Sequence, residues 1–364
     1  MPEHIKLFIP GPIEVRESLL NAQTKPMIGH RGKPFEQLFG SIQENLRKVF
    51  YTKSRVLVST SSGTGLWEGA ARNCVTDNLE TGVLATVCGA FSERWADVFE
   101  RNAKTTTVIR VSEGQAIKPE MVETAIRLHP GVFDAIAIVH NETSTGVTNP
   151  LEDIVKVVKT FSPDTLILVD AVSSLAGVKI DFEAMGIDVL LTSSQKCFGL
   201  PPGLAFAAVS DRALQRAAGI RNRGYYFDFI ELDSFLQKNN TPATPAISLL
   251  NALDVQLRDM LAEGLDARFA RHGRMAEMTR SWAISRGYSL FAERGYESQT
   301  VTCVANSLGT DIGALNKFLG VRHMHLSDGY GNLKGKTFRI AHMADLQESD
   351  IAVLLDAIDK FITA

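Results

Sequence analysis

Two kinds of hydrophobic pattern alternate along the first part of this chain. Short apolar runs, typical of buried strands, lie at 56–58, 83–87, 107–111, 135–139, 166–169, 189–191 and 204–209. Apolar residues at helical spacing lie between most of these runs and also cover 34–50, before the first run. Because such alternation is typical of a sheet covered on both faces, we predict an α/β fold with a mostly parallel seven-stranded sheet between helices. The last two runs are joined by a loop without a helix, which favours one antiparallel strand there.

The part of the chain after about residue 245 has a different pattern. Long helical patterns at 247–263 and 266–286 precede short strand patterns at 300–305 and 337–340, and further helical patterns lie at 311–320 and 348–361. We therefore predict a large domain over residues 15–250 and a smaller α+β domain formed by residues 1–14 and 251–364. The glycine-rich segment 327–332 predicts a mobile loop.

Composition and charge argue against several classes of protein. The chain has 364 residues, of which 45% are hydrophobic and 22% charged, and its formal net charge is −3. Because it lacks basic runs and apolar stretches of membrane-spanning length, we expect no nucleic acid and no membrane as partners. The four cysteines are scattered, the histidines lack metal-ligand spacing, and the N-terminus lacks the apolar core of a signal peptide. We therefore expect a reduced protein in the cytoplasm without a bound metal.

The most informative residues are an acid and an amine that follow two strand patterns. Asp170 ends the apolar run 166–169, and Lys196 stands in the polar turn 192–196 after the run 189–191. In open α/β sheets, ligands bind beyond the carboxyl ends of the strands, where both groups would lie. The chemistry of pyridoxal 5′-phosphate (PLP) needs this pair, because the lysine forms a Schiff base with the aldehyde and the acid pairs with the pyridinium nitrogen. Taken singly, Asp170 could be a helix cap and Lys196 a solvated loop lysine.

Further segments near strand patterns could contact a ligand. The segment 59–65, Ser-Thr-Ser-Ser-Gly-Thr-Gly, precedes a helix whose first N–H groups suit a phosphate, although alone it reads more simply as an N-cap and turn. The segment 140–146 could touch a ligand or form a capped turn. Phe91 could stack on a planar ring or belong to the core. Arg339 could bind a carboxylate through both nitrogens or form a structural ion pair.

Together these motifs resemble the class V branch of the fold-type I PLP-dependent aminotransferases, and most closely the alanine/serine–glyoxylate (and pyruvate) aminotransferases. The resemblance covers nearly the whole chain. It implies a transaminase that moves an amino group from a small L-amino acid, alanine or serine, to a 2-oxo acid, glyoxylate or pyruvate, by a ping-pong mechanism. The motifs that carry it are Phe-Ile-Pro-Gly-Pro (8–12), Gly-His-Arg-Gly (29–32), Ser-Ser-Gly-Thr (61–64), His-Asn-Glu-Thr-Ser-Thr-Gly (140–146), Leu-Val-Asp-Ala-Val-Ser-Ser (168–174), Ser-Ser-Gln-Lys (193–196), Pro-Pro-Gly (201–203), Asn-Thr-Pro-Ala-Thr-Pro-Ala (240–246) and Phe-Arg-Ile-Ala-His-Met (338–343).

The resemblance also implies roles for individual residues. Lys196 would form the Schiff base and later move the substrate proton, and Asp170 would hold the pyridinium proton. Arg339 would bind the substrate α-carboxylate, helped by the backbone near Gly11. The other implied cofactor contacts are Ser62, Gly63, Thr64 and Gln195 with the phosphate, Thr143 with the ring hydroxyl, and Phe91 stacked on the ring, where relatives often have Trp.

Asn240 and Thr241 would, by the same resemblance, reach the phosphate bound by the neighbouring subunit. This implies a homodimer with shared active sites. Arg31, Arg221 and Arg223 could recognise a second acidic group, which would suit a dicarboxylate or a phosphorylated substrate. Equally, Arg31 could lie at a dimer interface, and the other two could be solvated. The sequence therefore leaves the amino donor, the acceptor and the pathway open.

Other functions remain compatible with these residues. A lyase or a cysteine desulfurase would share the fold, but a desulfurase needs a thiol on a flexible loop. Cys197 instead follows the lysine directly, and Cys303 lies in a strand pattern. A non-catalytic binding protein of this fold would not need Asp170, Lys196 and Arg339 together. A protein that uses the glycine loop for an unrelated phosphate ligand would show no chromophore bound to a lysine.

Overall fold

Two main sheets organise the chain in the computed structural model, which describes residues 4–363. The strands are β1 (Lys6–Phe8), β2 (Arg55–Ser59), β3 (Gly82–Val87), β4 (Thr106–Arg110), β5 (Phe133–Val139), β6 (Asn141–Glu142), β7 (Val147–Thr148), β8 (Leu166–Asp170), β9 (Val189–Ser193), β10 (Ala205–Val209), β11 (Ser289–Leu290), β12 (Val301–Ala305), β13 (Met324–Asp328) and β14 (Thr337–Ala341). The helices are α1 (Glu17–Ala22), α2 (Lys33–Val49), α3 (Gly63–Cys74), α4 (Ala90–Arg101), α5 (Pro119–Leu128), α6 (Leu151–Phe161), α7 (Phe182–Met185), α8 (Asp211–Gly219), α9 (Phe229–Leu236), α10 (Ile247–Glu263), α11 (Leu265–Ser285), α12 (Ile312–Gly320) and α13 (Glu348–Ile362), with a 3₁₀ helix at Gly331–Leu333.

The large sheet has seven strands in the order β2-β10-β9-β8-β5-β3-β4. Only β10 runs against the others, since it pairs antiparallel with both β2 and β9. The central strands are buried along their whole length, which requires cover on both faces and explains their nearly continuous apolar sequences. The predicted mostly parallel sheet, with one antiparallel member after the run at 189–191, is confirmed.

The small sheet has the order β1-β13-β14-β12-β11, and its first strand comes from the N-terminal arm. Its buried side includes Phe8, Leu326 and Phe338, which pack with residues of α11 and α13. The segment 327–332 was predicted as a loop, and this is wrong at both ends. Ser327 and Asp328 end strand β13, and the 3₁₀ helix begins at Gly331. Strand β13 was not predicted because the glycine-rich segment follows it directly and its outer residues are polar. Its inner residues, Met324 and Leu326, are buried.

Helix α10 lies against α1 and α2 and shares the core of the large sheet, to which Leu250, Leu253 and Leu257 contribute. The chain turns at Gly264, whose φ of 85° favours glycine, and continues as α11 towards the small sheet. The predicted division into residues 15–250, and 1–14 with 251–364, stays a prediction. Within residues 4–363, no helix has both the length and the apolar character needed to cross a bilayer.

Candidate active site

The carboxyl ends of β5, β8 and β9 open into a cavity of about 370 Å³. These ends meet at one edge of the sheet, because β8 pairs in parallel with both of its neighbours. The walls include nine residues selected from the sequence: Gly11, Ser62, Gly63, Thr64, Phe91, Thr143, Asp170, Gln195 and Lys196.

The acid of the site, Asp170, lies at the end of β8 and is only 4% exposed. Its carboxylate accepts hydrogen bonds from Trp67 Nε1 at 2.9 Å and from the backbone N–H of Val172 at 2.7 Å. Burial outweighs these bonds and raises the pKa of Asp170 to about 7. A buried acid with such a pKa suits a cationic partner in the cavity, and a protonated pyridinium nitrogen is one.

The amine of the site, Lys196, is buried in the turn after β9. Its Nζ donates a hydrogen bond to the carbonyl of Pro10, which brings the N-terminal arm to the cavity. Burial, and secondly the charge of Arg339, lowers the pKa of Lys196 to about 8, so that a fraction of the amine is neutral near pH 7. Gly11 has a φ of 125°, and a Cβ there would lie 2.7 Å from Lys196 Cε. Glycine at position 11 therefore avoids a steric clash with the side chain of Lys196.

The residues expected at a phosphate lie at the start of α3. Ser62 is its N-cap, and a Cβ on Gly63 would lie 2.8 Å from Val172 Cγ2. The first N–H groups of a helix attract an anion. Beside them, Ser193 Oγ and Gln195 Oε1 are buried without a hydrogen-bond partner among residues 4–363. Because buried polar groups without partners are costly, these atoms indicate a ligand in the cavity, and the residues fit PLP.

The segment 140–146 holds Phe91, the residue predicted to stack on the ring, in place. Glu142 is fully buried and accepts hydrogen bonds from the backbone N–H groups of Phe91 at 3.3 Å and Ser92 at 2.9 Å. It also accepts one from Ser144 Oγ at 2.7 Å. These contacts fix the start of α4 and hence the position of Phe91. The sequence reasoning selected the segment but missed this role, for which the acid among neutral polar residues was the signal.

Arg339 lies beside the cavity and is not among the residues of its wall. Its guanidinium is buried and donates to the carbonyls of Asp328 at 3.1 Å and Thr143 at 3.4 Å. The structural ion pair considered above is absent, since Arg339 contacts no carboxylate group within the described part of the chain. Burial lowers the pKa of Arg339, but an arginine keeps its charge in proteins. A buried cation without an ion-pair partner suits an anionic ligand.

Two predicted cofactor residues, Asn240 and Thr241, lie outside the cavity wall. Arg31 of the same chain holds them, with Nη1 2.5 Å from both Asn240 Oδ1 and the carbonyl of Thr241. Arg223 is likewise engaged, because it pairs with Asp228 at 3.0 Å. Arg221 is exposed and also lies outside the cavity wall. Recognition of a substrate acid by Arg31, Arg221 or Arg223 therefore finds no support in the described contacts. The contact of Asn240 and Thr241 with a neighbouring subunit stays a prediction.

The sequence reasoning missed three further residues of the cavity wall, Trp67, Arg94 and Tyr330. The ring of Tyr330 lies 5.0 Å from that of Phe91, between centroids. Tyr330 belongs to the segment predicted as a mobile loop, so its place depends on the strand β13 that precedes it. Arg94 follows Phe91 by one helical turn in α4, and this spacing was the available signal.

The thiols and acids of the described residues disfavour two other kinds of site. No group of three or more His, Cys, Asp or Glu side chains within residues 4–363 could hold a metal ion. Cys197 and Cys303 are buried, and burial raises the pKa of each thiol to about 12. Because a nucleophilic cysteine needs a low pKa and access to its substrate, neither suits a desulfurase.

The aminotransferase class-V family model matches residues 15–307 of this chain. The chain therefore belongs to the class V aminotransferase family, and the protein is a PLP-dependent transaminase. The L-aspartate–glyoxylate aminotransferase of Paracoccus denitrificans is 32% identical, with 94% of this chain and 87% of the relative covered. The serine–glyoxylate aminotransferase of Methylorubrum extorquens is also 32% identical, with 95% and 88% covered.

The solved structure of an alanine–glyoxylate aminotransferase from Nostoc sp. superposes with a TM-score of 0.92 at 30% identity, covering 100% of this chain and 96% of that one. Other relatives are named as subunits of a soluble hydrogenase. Several of these relatives thus share glyoxylate as the named acceptor but differ in the amino donor.

Proposed function

We propose that this transaminase moves the amino group of a small L-amino acid, alanine or serine, to glyoxylate or pyruvate in a ping-pong reaction through Lys196. One observation carries the proposal: a partly neutral buried lysine and a buried acid line a single cavity, and Arg339 lies beside it without an ion-pair partner among residues 4–363. The glyoxylate in the names of several relatives supports the choice of acceptor.

Lys196 would act as the base at the substrate α-carbon. Its amine is tethered at the end of β9, and a pKa near 8 lets it take and return a proton close to neutral pH. PLP, when bound, supplies an electron sink for the charge left on that carbon. Asp170 would hold the proton on the ring nitrogen, and Trp67 would hold Asp170 in place through the bond at 2.9 Å.

The remaining residues would bind and orient. We assign the phosphate to Ser62, Gly63, Thr64 and Gln195, the ring hydroxyl to Thr143, and the stacking contact to Phe91. Arg339 would fix the substrate carboxylate and so decide which bond at the α-carbon stands perpendicular to the ring, helped by the backbone near Gly11. Because that orientation selects the bond that breaks, Arg339 would contribute to the choice of transamination over decarboxylation.

We also propose a cytoplasmic homodimer in which Asn240 and Thr241 reach the phosphate in the partner's site. Their position outside the cavity of their own chain agrees with this arrangement. Gel filtration coupled to light scattering measures the mass directly. A monomer that turns over substrates at full rate would contradict the shared site.

The absorption spectrum of the purified protein with PLP tests the proposed reaction. We expect a visible band that disappears on addition of L-alanine or L-serine and returns with glyoxylate or pyruvate. The variant Lys196→Arg, which keeps the positive charge, is the control and should show no such cycle. A band that forms but does not respond to either amino acid would contradict the proposed donors, and the absence of any band would contradict the role of Lys196.

A further inference from the structure

An arginine without an acid partner stands in the wall of the cavity. Arg94 lies in α4, and its guanidinium carbon is 5.3 Å from the ring centroid of Phe91 and 5.9 Å from that of Tyr330. Its one hydrogen bond to a described residue is donated to Tyr330 Oη at 2.5 Å. Arg94 is exposed, and since a guanidinium has five N–H donors, most of its donors have no partner among the described residues.

The surroundings of Arg94 make its lack of an ion pair unusual for this helix. Arg101, on the same helix, pairs with Asp97 at 2.8 Å. Glu93, the acid adjacent to Arg94 in the chain, pairs with Arg110 from β4. Among residues 4–363, no carboxylate pairs with Arg94. Acids of α4 therefore form ion pairs with Arg101 and with Arg110 of β4, whereas the charge of Arg94 at the cavity has no ion-pair partner.

Arg94 and Arg339 lie around the same aromatic ring. The guanidinium carbon of Arg339 is 5.6 Å from the ring centroid of Tyr330, a distance similar to that of Arg94. Two cationic groups thus approach the same aromatic ring beside a single cavity. A molecule with two carboxylates could place one at each guanidinium, and a planar carboxylate matches the two-nitrogen edge of arginine.

We infer that Arg94 is the receptor for a second carboxylate, and that this transaminase accepts four-carbon dicarboxylic amino acids and 2-oxo acids such as L-aspartate and oxaloacetate. The inference rests on the proposed function, in which Arg339 takes the α-carboxylate. Of the other arginines considered for an acidic group, Arg31 and Arg223 are held by their own chain, and Arg221 is exposed and lies outside the cavity wall. Arg94 is the one that lines the cavity.

The first experiment compares L-aspartate with L-asparagine, which has nearly the same shape but no side-chain charge. For the wild-type holoenzyme we expect kcat/KM to favour L-aspartate at least tenfold, since a hydrogen bond to a charged group contributes about 1.5–3 kcal/mol. Arg94→Met should remove that preference, and Arg101→Met, on the same helix, should keep it. Equal losses for both amino acids in Arg94→Met would overturn the inference, because they would show that Arg94 only holds Tyr330.

The second experiment measures binding without turnover and so separates this inference from the proposed function. Calorimetry should show that succinate binds the wild-type holoenzyme at least tenfold more tightly than butyrate, which has four carbons and one carboxylate. This preference should disappear in Arg94→Met. Succinate preference in a protein that transaminates neither alanine nor serine would leave the second carboxylate site intact and reject the proposed donors. Equal binding of succinate and butyrate would reject the site.

O-phospho-L-serine distinguishes a carboxylate receptor from a phosphate receptor, since arginine can bind either anion. We expect kcat/KM to be higher for L-aspartate than for O-phospho-L-serine. Arg94→Met should reduce the ratio of these two kcat/KM values. A higher kcat/KM for O-phospho-L-serine, lost in the same variant, would overturn the assignment to a dicarboxylate.

Discussion

The two sides of the cavity differ in how the chain builds them. The side on the large sheet has its acid and its amine at the ends of adjacent strands, where burial moves the pKa of Asp170 up to about 7 and that of Lys196 down to about 8. The opposite side comes from the N-terminal arm and the small sheet, and its polar groups are Arg339 and Tyr330 with the carbonyl of Pro10. One side is local to a sheet edge, whereas the other forms only when distant segments meet.

This difference predicts two kinds of defect. Groups on the side of the large sheet have pKa values tuned for proton transfer, so their loss should lower kcat. Groups on the opposite side offer fixed cations to an anion, so their loss should mainly raise KM. The five predictions that follow, made with four variants, test this division.

The largest effect is expected for Lys196→Ala. Without the tethered base, turnover should fall by about 10⁴-fold or more, because both proximity and general base catalysis are lost. The measurement is steady-state turnover of L-alanine with glyoxylate, together with retention of PLP through gel filtration. Retention should weaken as well, and near-normal turnover would reject the assignment of Lys196.

Asp170→Asn should lower kcat by roughly 10²- to 10³-fold, since an amide cannot hold the proton of the ring nitrogen as a carboxylate does. Asp188→Asn is the matched control. Asp188 is also buried and accepts hydrogen bonds from the N–H of Ile167 at 2.9 Å and from Ser210 Oγ at 2.7 Å, beside the start of β9. It should affect stability but not the substrate chemistry. If both variants lose kcat equally, the effect of Asp170 is structural.

The same substitution should change how stability depends on pH in the protein without cofactor. The pKa of Asp170 is higher in the folded protein, about 7, than its usual value of 3.8. Its contribution to stability is therefore full below pH 3.8 and is lost as the pH rises through about 7, by at most about 1.4 kcal/mol per pH unit. Urea unfolding between pH 4 and 8 should show this decline in the wild type relative to Asp170→Asn. Parallel curves for the two proteins would contradict the raised pKa.

The contrast between the two sides of the cavity also explains which site residues could be predicted from the sequence. The apolar runs predict the large sheet, and strand ends then bring Asp170 and Lys196 together, because parallel neighbours end at one edge. Tyr330 has no such signal, since its contact with Arg94 joins the segment after β13 to α4, 236 positions apart in the chain. The sequence reasoning missed β13 itself. It selected Arg339 in a strand pattern, but only the family resemblance implied that Arg339 binds the α-carboxylate. Tertiary contacts between distant polar residues leave no periodic pattern to detect.

Arg339→Met should act mainly on substrate binding. We expect KM to rise roughly 10- to 100-fold for both the amino acid and the oxo acid, because each loses a charge-assisted hydrogen bond worth about 1.5–3 kcal/mol. Arg339→Lys keeps a point charge and should restore part of the affinity, but without the planar two-nitrogen contact. Steady-state kinetics with both substrates measure the effect. Unchanged KM values would place the α-carboxylate elsewhere and would remove the opposite side of the cavity from substrate binding.

Trp67→Phe gives the smallest expected effect and sharpens the comparison most. It removes the hydrogen bond of 2.9 Å to Asp170 but keeps an aromatic ring where Trp67 packs on Trp95, at 6.0 Å between centroids. That bond holds the pKa of Asp170 down, so its loss should raise the pKa further and reduce kcat by roughly three- to tenfold.

Trp282→Phe is the control, since Trp282 also donates to an aspartate, Asp359, at 2.8 Å, but in the core of the small sheet. Both variants lose one bond of similar length. If only Trp67→Phe lowers kcat and moves the acidic limb of its pH profile upward, the tuning of Asp170 is specific to the side of the large sheet. Equal effects in the two variants would mean that such bonds contribute only to folding.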